Sequence, residues 1–466
     1  MVRRRRLDPC SVWDREGVLR KFQEHDILPC HADAVWAYLG KHRDRDVPLS
    51  EVSGRGVTST RRPQGGLGKR GAAARIRPSL PPAPPPRASR GLSGGVPPLR
   101  RSRAPPDPRA TPPAPPSPGT QVPGLPKAAQ RLFRSAAIVK FTSRVLDAKV
   151  SAGGEVVKLL VQLQTGEQVE CVVMRYDPTL GVDPSQPGGR RRGRPRATVC
   201  VSSQVGCQMG CTFCATGTMG LKANLLPAEI LEQVAHACLH ARTPVRNLVF
   251  MGMGEPLDAY DEVVEAVRCL THPRIFGLSA RHLTVSTVGV VPRIRPLARD
   301  LPTVRLALSL HAPSQALRET IVPTARGWPL PDLLGACADW QRQTGQPLFV
   351  EYVLLAGVNA APEHARQLAA LLADHRLDAV VNVIPWNPVL ADDGIEFEAP
   401  GEAGTAAFRD VLVAAGVRCT VRREKGQDLA AACGQLVVGG AGGKRQLADI
   451  EDLGGAPGGR AACAGG

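Results

Sequence analysis

Four cysteines crowd one stretch, CVSSQVGCQMGCTFCATG, which runs from Cys200 to Gly217 in a chain that has thirteen. Cys207, Cys211 and Cys214 follow a C-x3-C-x2-C spacing, and Cys200 stands apart, seven residues upstream. Structural zinc takes four protein ligands, usually as two separated pairs, and no second pair is evident. A redox pair formed by Cys211 and Cys214 leaves Cys207 unexplained and normally opens a helix directly. Three thiolates on one short loop suit a [4Fe-4S] cube, which ordinarily takes four cysteines, with one iron left open to a non-protein ligand. An open iron is a catalytic position rather than a structural one.

The chain that must position these thiols is mixed in character. Its 466 residues are 43% apolar, enough for a real core, yet it carries 48 glycines, 43 prolines and a net charge of +17. Basic, weakly hydrophobic segments cannot bury enough surface to order themselves, and such a balance favours polyanion partners, RNA or DNA first among them. No 18-residue apolar span is present, and MVRRRRLDPC is not followed by an apolar stretch, so neither a membrane helix nor a secretory signal is expected. The thiols are therefore expected in a reducing compartment, the cytoplasm, with a plastid or mitochondrion as the alternative.

Residues 1–53 read as a small helical accessory region: Val18, Leu19 and Phe22, then Val35, Trp36 and Leu39, recur at helical spacing on two short segments. Residues 54–126 form a Pro/Arg/Gly-rich tract expected to be a disordered linker. Residues 127–196 hold a hairpin, with Val157, Leu159, Val161 and Leu163 alternating along one face and a turn at Thr165 and Gly166, followed by the basic loop GGRRRGRPR. Residues 439–466 are a Gly-rich tail. Between them, residues 197–438 alternate near-continuous apolar strands with amphipathic helices, six units in all, which predicts a parallel α/β sheet curved into a partial barrel. The cysteine loop follows the first strand. GMGEP (Gly252 to Pro256) follows the second, STVG (Ser286 to Gly289) the third, SLHAP (Ser309 to Pro313) the fourth and PWNP (Pro385 to Pro388) the sixth. In a barrel these insertions share one rim, where active sites are built.

C-x3-C-x2-C after the first strand with GMGEP after the second resembles the radical SAM superfamily. The wider set CVSSQVGC, CATGTMG, SLHAP, VEYVLL, IPWNP and ACGQL is similar to the RlmN/Cfr family of RNA adenine methyltransferases, over about Leu125 to Val438 and more weakly over 11–53. The resemblance implies a partial (β/α)6 barrel holding a [4Fe-4S] cluster on Cys207, Cys211 and Cys214. It implies S-adenosyl-L-methionine (SAM) bound at the open iron and by Gly254, Glu255, Ser286, Ser309, Leu310, His311 and Asn387. Glycines let backbone approach a ligand, and the polar side chains offer partners for an ammonium and ribose hydroxyls. Taken alone, His311 also fits a satisfied core histidine.

The same resemblance assigns the two remaining thiols. Carbon 2 of adenine is electron-poor and does not attack the methyl of SAM as a nucleophile would, but a carbon radical adds to it. Cys433, in AAACGQL, matches the cysteine that takes a methyl from one SAM. A second SAM yields the radical that removes hydrogen from that methyl, and the methylene carbon joins the base. Cys200 matches the cysteine that closes the cycle through a disulfide with Cys433. Arg422, Arg423 and Lys425 precede Cys433, and the charges suit either tuning of a thiol or contacts to RNA phosphates. By itself Cys200 also fits a small buried hydrophobe, and the other cysteines read as structural or incidental.

The implied function is methylation of an adenine in ribosomal RNA of the large subunit, at C2, with tRNA as a further substrate and C8 as the alternative position. A non-catalytic Fe-S or zinc RNA-binding protein is the alternative from another class. Implied partners are RNA and an electron donor such as flavodoxin or ferredoxin, for a monomer. One departure stands out: family members carry a glutamate before the RAT that leads into the first strand, a proposed base, whereas Tyr176 and Asp177 occupy that place here, followed by an insertion up to Arg196.

Overall fold

The computed structural model describes residues 6–28, 30–41, 125–176, 194–389, 397–422 and 425–438. Most of the expected linker and the whole Gly-rich tail lie outside them, as do Asp177, Arg190, Arg191 and Arg192 of the basic loop, and Arg423. The strands are β1 (Cys10–Ser11), β2 (Ile138–Val139), β3 (Arg144–Val150), β4 (Val156–Gln162), β5 (Gln168–Tyr176), β6 (Arg196–Cys200), β7 (Gln204–Cys207), β8 (Gly220–Asn224), β9 (Val245–Phe250), β10 (Leu283–Thr287), β11 (Arg305–Ser309), β12 (Leu348–Leu354), β13 (Ala379–Pro385) and β14 (Arg418–Val421). The helices are α1 (Arg15–Glu24), α2 (Cys30–Lys41), α3 (Lys127–Arg134), α4 (Ala215–Thr218), α5 (Pro227–His240), α6 (Tyr260–Thr271), α7 (Val291–Asp300), α8 (Gln315–Ile321), α9 (Leu330–Thr344), α10 (Pro362–Asp374) and α11 (Gly401–Ala414).

Ten strands form one sheet in the order β14-β13-β12-β11-β10-β9-β6-β5-β4-β3. From β6 to β14 every pairing is parallel, and β3, β4 and β5 continue the sheet antiparallel from β6. The parallel strands are apolar runs because helices cover them: Leu248, Phe250, Leu283, Val285, Leu306, Leu308, Val350, Val381 and Val383 are all buried in one core. The crossover helices are punctuated locally. Pro227 and Pro362 occupy the first turns of α5 and α10, where a missing N–H is harmless, and Glu229 Oε2 accepts the Leu226 N–H at 2.8 Å.

Three elements go beyond the sequence reading. The parallel array has a seventh strand, β14, alternately half-buried and exposed. The hairpin gains a third strand, β3, mostly exposed at the sheet edge. The cysteine loop also leaves the sheet on a separate two-stranded flap, β7 with β8. That flap requires Gly206: φ is +77°, and a Cβ there would sit 1.9 Å from the Gly220 carbonyl oxygen.

The N-terminal segment joins the same core. Val18, Phe22, Val35, Trp36 and Leu39 are buried, β1 pairs with β2, and the Trp36 ring N–H reaches the Val12 carbonyl at 2.8 Å. Asp14 caps α1 through the Gly17 N–H at 2.9 Å. Against the barrel the tie is a buried carboxylate: Glu232 of α5 accepts from Ser11 Oγ at 2.5 Å, from the Thr142 and Ser143 amides at 2.8 Å each, and from both of their hydroxyls.

Candidate active site

The loops after the parallel strands converge on a cavity at one rim of the sheet. Cys207, Cys211 and Cys214 line one side; Gly254, Glu255, Ser286, Ser309, His311 and Asn387 line the rest, with Cys433 entering from the C-terminal loop. Leu310 is not among them. Its side chain is fully buried in the core, and its backbone serves instead: the N–H donates to the Glu351 carbonyl at 3.1 Å and the carbonyl accepts from Arg318 Nε at 3.2 Å.

The thiols sit in surroundings that disfavour bare charge. Burial pushes Cys207 up to about 12 and raises Cys211 and Cys214 as well, and the neighbouring thiols add to the rise at Cys207 and Cys211. Backbone N–H groups lean the other way, from Met209 onto Cys207 and from Gly217 and Thr216 onto Cys214. Buried sulfurs met by amide donors suit thiolates whose charge a metal group neutralises. Among the described residues no three His, Cys, Asp or Glu side chains gather closely enough to hold a single ion.

Glu255 is fixed by its own turn. Its carboxylate oxygens accept the Leu257 N–H at 2.9 Å and the Val288 N–H at 2.8 Å, and burial raises its pKa to about 7. Gln204 sets that turn: its Oε1 accepts the Glu255 N–H at 2.8 Å, and its Nε2 donates to Asn224 at 2.9 Å and Asp258 at 2.8 Å. Gly254 lies against it with φ +100°, and a Cβ there would meet Gln204 Cβ at 2.5 Å. The sequence reading missed Gln204, because its task depends on a contact across the fold. Ser286 and Ser309 bring their hydroxyls to 3.3 Å on adjacent strands.

His311 combines both of its sequence readings. It lines the cavity while its Nδ1 accepts the Val353 N–H at 3.1 Å and Phe213 meets its ring edge-on at 4.8 Å. Its backbone is left-handed, φ +62°, which is uncommon outside glycine. Burial and the neighbouring Arg318 lower its pKa to about 3, so the ring is uncharged. Asn387 donates Nδ2–H to the Cys433 carbonyl at 3.2 Å, and its buried Oδ1 has no partner. A buried orphan acceptor facing a cavity marks a place for a ligand donor.

A second cavity adjoins the first. Asn387, Arg422, Met251, Ile384 and Cys433 line both, and the second also holds Cys200, Val172, Met174 and Tyr176. Cys200 and Cys433 are both free thiols. Burial pushes Cys200 up to about 12, Cys433 adds to this, and Arg422 opposes it. Arg422 in turn is held in its charged form by Cys433 first and also by Glu351. Tyr176 lies between two cations, Arg196 at 5.1 Å and Lys425 at 4.6 Å from the ring centroid. The carboxylate that β5 does supply is Glu170, which shares the strand face of Val172, Met174 and Tyr176. It is buried, which raises its pKa, while Lys158 beside it pulls the other way. Its place in the period-two alternation is the one signal for it in the sequence.

The chain is similar in sequence and fold to known proteins. Residues 201–369 match the family model of the radical SAM superfamily. Ribosomal RNA large subunit methyltransferase N of Nitrosopumilus maritimus is 43% identical over 318 residues, covering 68% of this chain and 86% of that protein. A probable dual-specificity RNA methyltransferase RlmN of Desulforudis audaxviator is 46% identical over 292 residues, covering 63% of this chain and 85% of that protein. The crystal structure of a radical SAM methyltransferase from Sphaerobacter thermophilus matches with a TM-score of 0.60 at 39% identity, covering 67% of this chain and 86% of that one.

Proposed function

Because the chain belongs to the RlmN family of radical SAM RNA methyltransferases, we propose that it methylates carbon 2 of an adenine in large-subunit ribosomal RNA, and of tRNA, through a methylated Cys433. The enzyme uses a [4Fe-4S] cluster and SAM. The observation that carries the reading is the position of Cys433 on both cavities, with Cys200 on the far one. One thiol thus faces the cavity lined by Cys207, Cys211 and Cys214 on one side and, on the other, a cavity bounded by a second thiol.

In this reading Cys207, Cys211 and Cys214 hold the cluster, and Glu255, Ser286, Ser309, His311 and Asn387 bind SAM. Bound there, the two groups would supply a methyl cation equivalent, and then the electron and the hydrogen-abstracting adenosyl fragment. The chain's own residues do the rest. Cys433 sulfur accepts the methyl, its S-methyl carbon gives up a hydrogen atom, and that carbon bonds to the base. Arg422 lines both cavities beside Cys433. Glu170 is the carboxylate on the strand face whose Val172, Met174 and Tyr176 line the second cavity, and we assign to it the proton from carbon 2. Cys200 then attacks Cys433 sulfur, forming the disulfide as the carbon–sulfur bond breaks; the hydrogen of the Cys200 thiol completes the product methyl, and the one electron left from the adduct would pass to the oxidised cluster when that group is bound.

The target base is splayed from a loop to enter, and the basic linker and loop suit its phosphates. We further infer a monomer fed by a flavodoxin or ferredoxin type donor in the cytoplasm, with plastid or mitochondrion as alternative sites. No helix among the described residues is long and apolar enough to cross a membrane. The domain division read from the sequence, with an accessory region, linker, hairpin region, core and tail, belongs to this proposal. Nucleoside mass spectrometry of RNA from cells with and without the gene tests it: 2-methyladenosine lost with the gene supports it, and 8-methyladenosine or no change overturns it.

A further inference from the structure

Cys433 rides on residues 425–438, a segment that contains one short 3-10 turn at Gln427–Leu429 and no strand. Something other than its own secondary structure must therefore fix it. On the barrel side the Gly434 carbonyl accepts the Ala215 N–H at 2.8 Å and the Leu436 carbonyl accepts Thr216 Oγ1–H at 2.6 Å. On the other side lie the antiparallel strands. Lys158 Nζ of β4 is 2.7 Å from Glu170 Oε1 of β5 and donates to the Ala430 carbonyl at 2.9 Å. Glu170 Oε2 accepts the Val437 N–H at 3.0 Å. One ion pair thus grips the segment on both sides of Cys433. Two outer contacts, Lys425 to Glu155 at 2.9 Å and Asp428 Oδ2 to the Ala152 N–H at 2.8 Å, extend the grip toward the surface.

The register explains the placement. Lys158 lies opposite Val172, so Glu170 is its diagonal neighbour on the same face, and Val172, Met174 and Tyr176 of that face line the cavity that holds Cys200. The pair is nearly buried, with side chains 12% and 7% exposed. A buried ion pair is a poor device for stability, since an apolar pair of equal volume does as well or better, and geometric registry is its best-attested use. It also closes on a strained residue: Ala430 has φ +48°, a conformation that a side chain disfavours.

We propose that Lys158 is a positioning residue for the methyl-carrying loop, bridging the Glu170 carboxylate to the Ala430 carbonyl so that Cys433 stays at the boundary of the two cavities. The proposal rests on the reading that Cys433 carries the methyl group. Without the bridge the loop opens between its barrel contacts and the strands. Hydrogen abstraction then continues while delivery of the carbon to the base fails.

The test uses the full chain with its cluster reconstituted, as wild type, Lys158→Met and Lys158→Arg. Lys158→Met should keep its iron and release 5′-deoxyadenosine within about twofold of wild type, while the 5′-deoxyadenosine released per adenine methylated rises about fivefold or more. Amide hydrogen exchange should quicken about tenfold across 429–437 and stay unchanged in the parallel strands. Lys158→Arg, which keeps the charge, should return both toward wild type. Unchanged coupling and exchange in Lys158→Met would overturn the proposal, as would faster exchange spread evenly through the sheet with no rescue by arginine. Should the wild type methylate no adenine, the functional reading fails separately, and the exchange measurement alone decides whether Lys158 holds the loop. Should Lys158→Met not accumulate folded, Lys425→Ala with Asp428→Ala removes the outer grip, and no change in exchange over 425–438 would then count against it.

Discussion

Asn387 donates its side-chain N–H to the Cys433 carbonyl at 3.2 Å and leaves its own Oδ1 buried without a partner. An unmet buried acceptor carries a penalty of about 1–3 kcal/mol, which a ligand donor relieves. Asn387→Leu should therefore raise the SAM concentration for half-maximal 5′-deoxyadenosine release about tenfold. The melting temperature of the ligand-free chain should move little by comparison.

Cys207, Cys211 and Cys214 should share one fate. Anaerobically purified protein should be brown with about four irons per chain, and alanine at any of the three should remove iron and all SAM cleavage. Iron analysis with zinc analysis alongside checks this; stoichiometric zinc and no iron would contradict the cluster.

Cys433 should be found S-methylated in protein from cells, on the peptide spanning GQDLAAACGQL. Cys433→Ser should keep its iron and lose RNA methylation. Full methylation by the serine variant would mean that the methyl passes directly to the base.

Cys200 separates packing from chemistry. As a truncated core residue, Cys200→Ala should cost about 1 kcal/mol of stability. As the resolving thiol, its loss should also leave a nuclease-trimmed nucleotide on the Cys433 peptide, visible by mass spectrometry and absent when Cys433 is also changed to alanine. A fully active Cys200→Ala enzyme without that adduct would make the residue structural only.

Glu255 gives a pH signature. Its folded pKa, about 7, lies above its ordinary value of 4.5 because of burial. The native state therefore holds a proton that the unfolded chain has released between these values, and stability falls as pH rises through that window, by up to about 1.4 kcal/mol per pH unit. In cluster-free protein, urea midpoints of wild type relative to Glu255→Gln should decline from pH 5 to pH 7 and run parallel above. Parallel midpoints throughout would mean that the carboxylate is not desolvated.

What the sequence makes legible follows burial. The central strands β9 to β13 announce themselves as apolar runs because both faces are covered, and topology alone places the motifs that end them on one rim. The edge strands β3 and β14 are not visible in it, since exposed positions such as Leu146 and Val150 carry no alternation to read. The site divides the same way. Residues within motifs stand out, whereas Gln204 does not, because its contact with Gly254 arises only when the strap after β6 folds beside the second loop. Glu170 is likewise hidden: the departure at Tyr176 is a feature along the chain, while the relevant carboxylate is paired across strands with Lys158.

The grip on residues 425–438 also orders events during synthesis. All but the shortest of the parallel strands, the flap and the three cluster thiols lie upstream of Arg418. The barrel can therefore form on the ribosome before the segment bearing Cys433 has emerged. Until that segment docks between Ala215 and Glu170, the nascent protein has Cys207, Cys211 and Cys214 in place but lacks the thiol that our proposal makes the methyl acceptor. On the role proposed for Cys433 the segment is a late key, and a nick or early stop near Lys425 would remove the methyl acceptor together with the core contacts of Ala431 and Leu436.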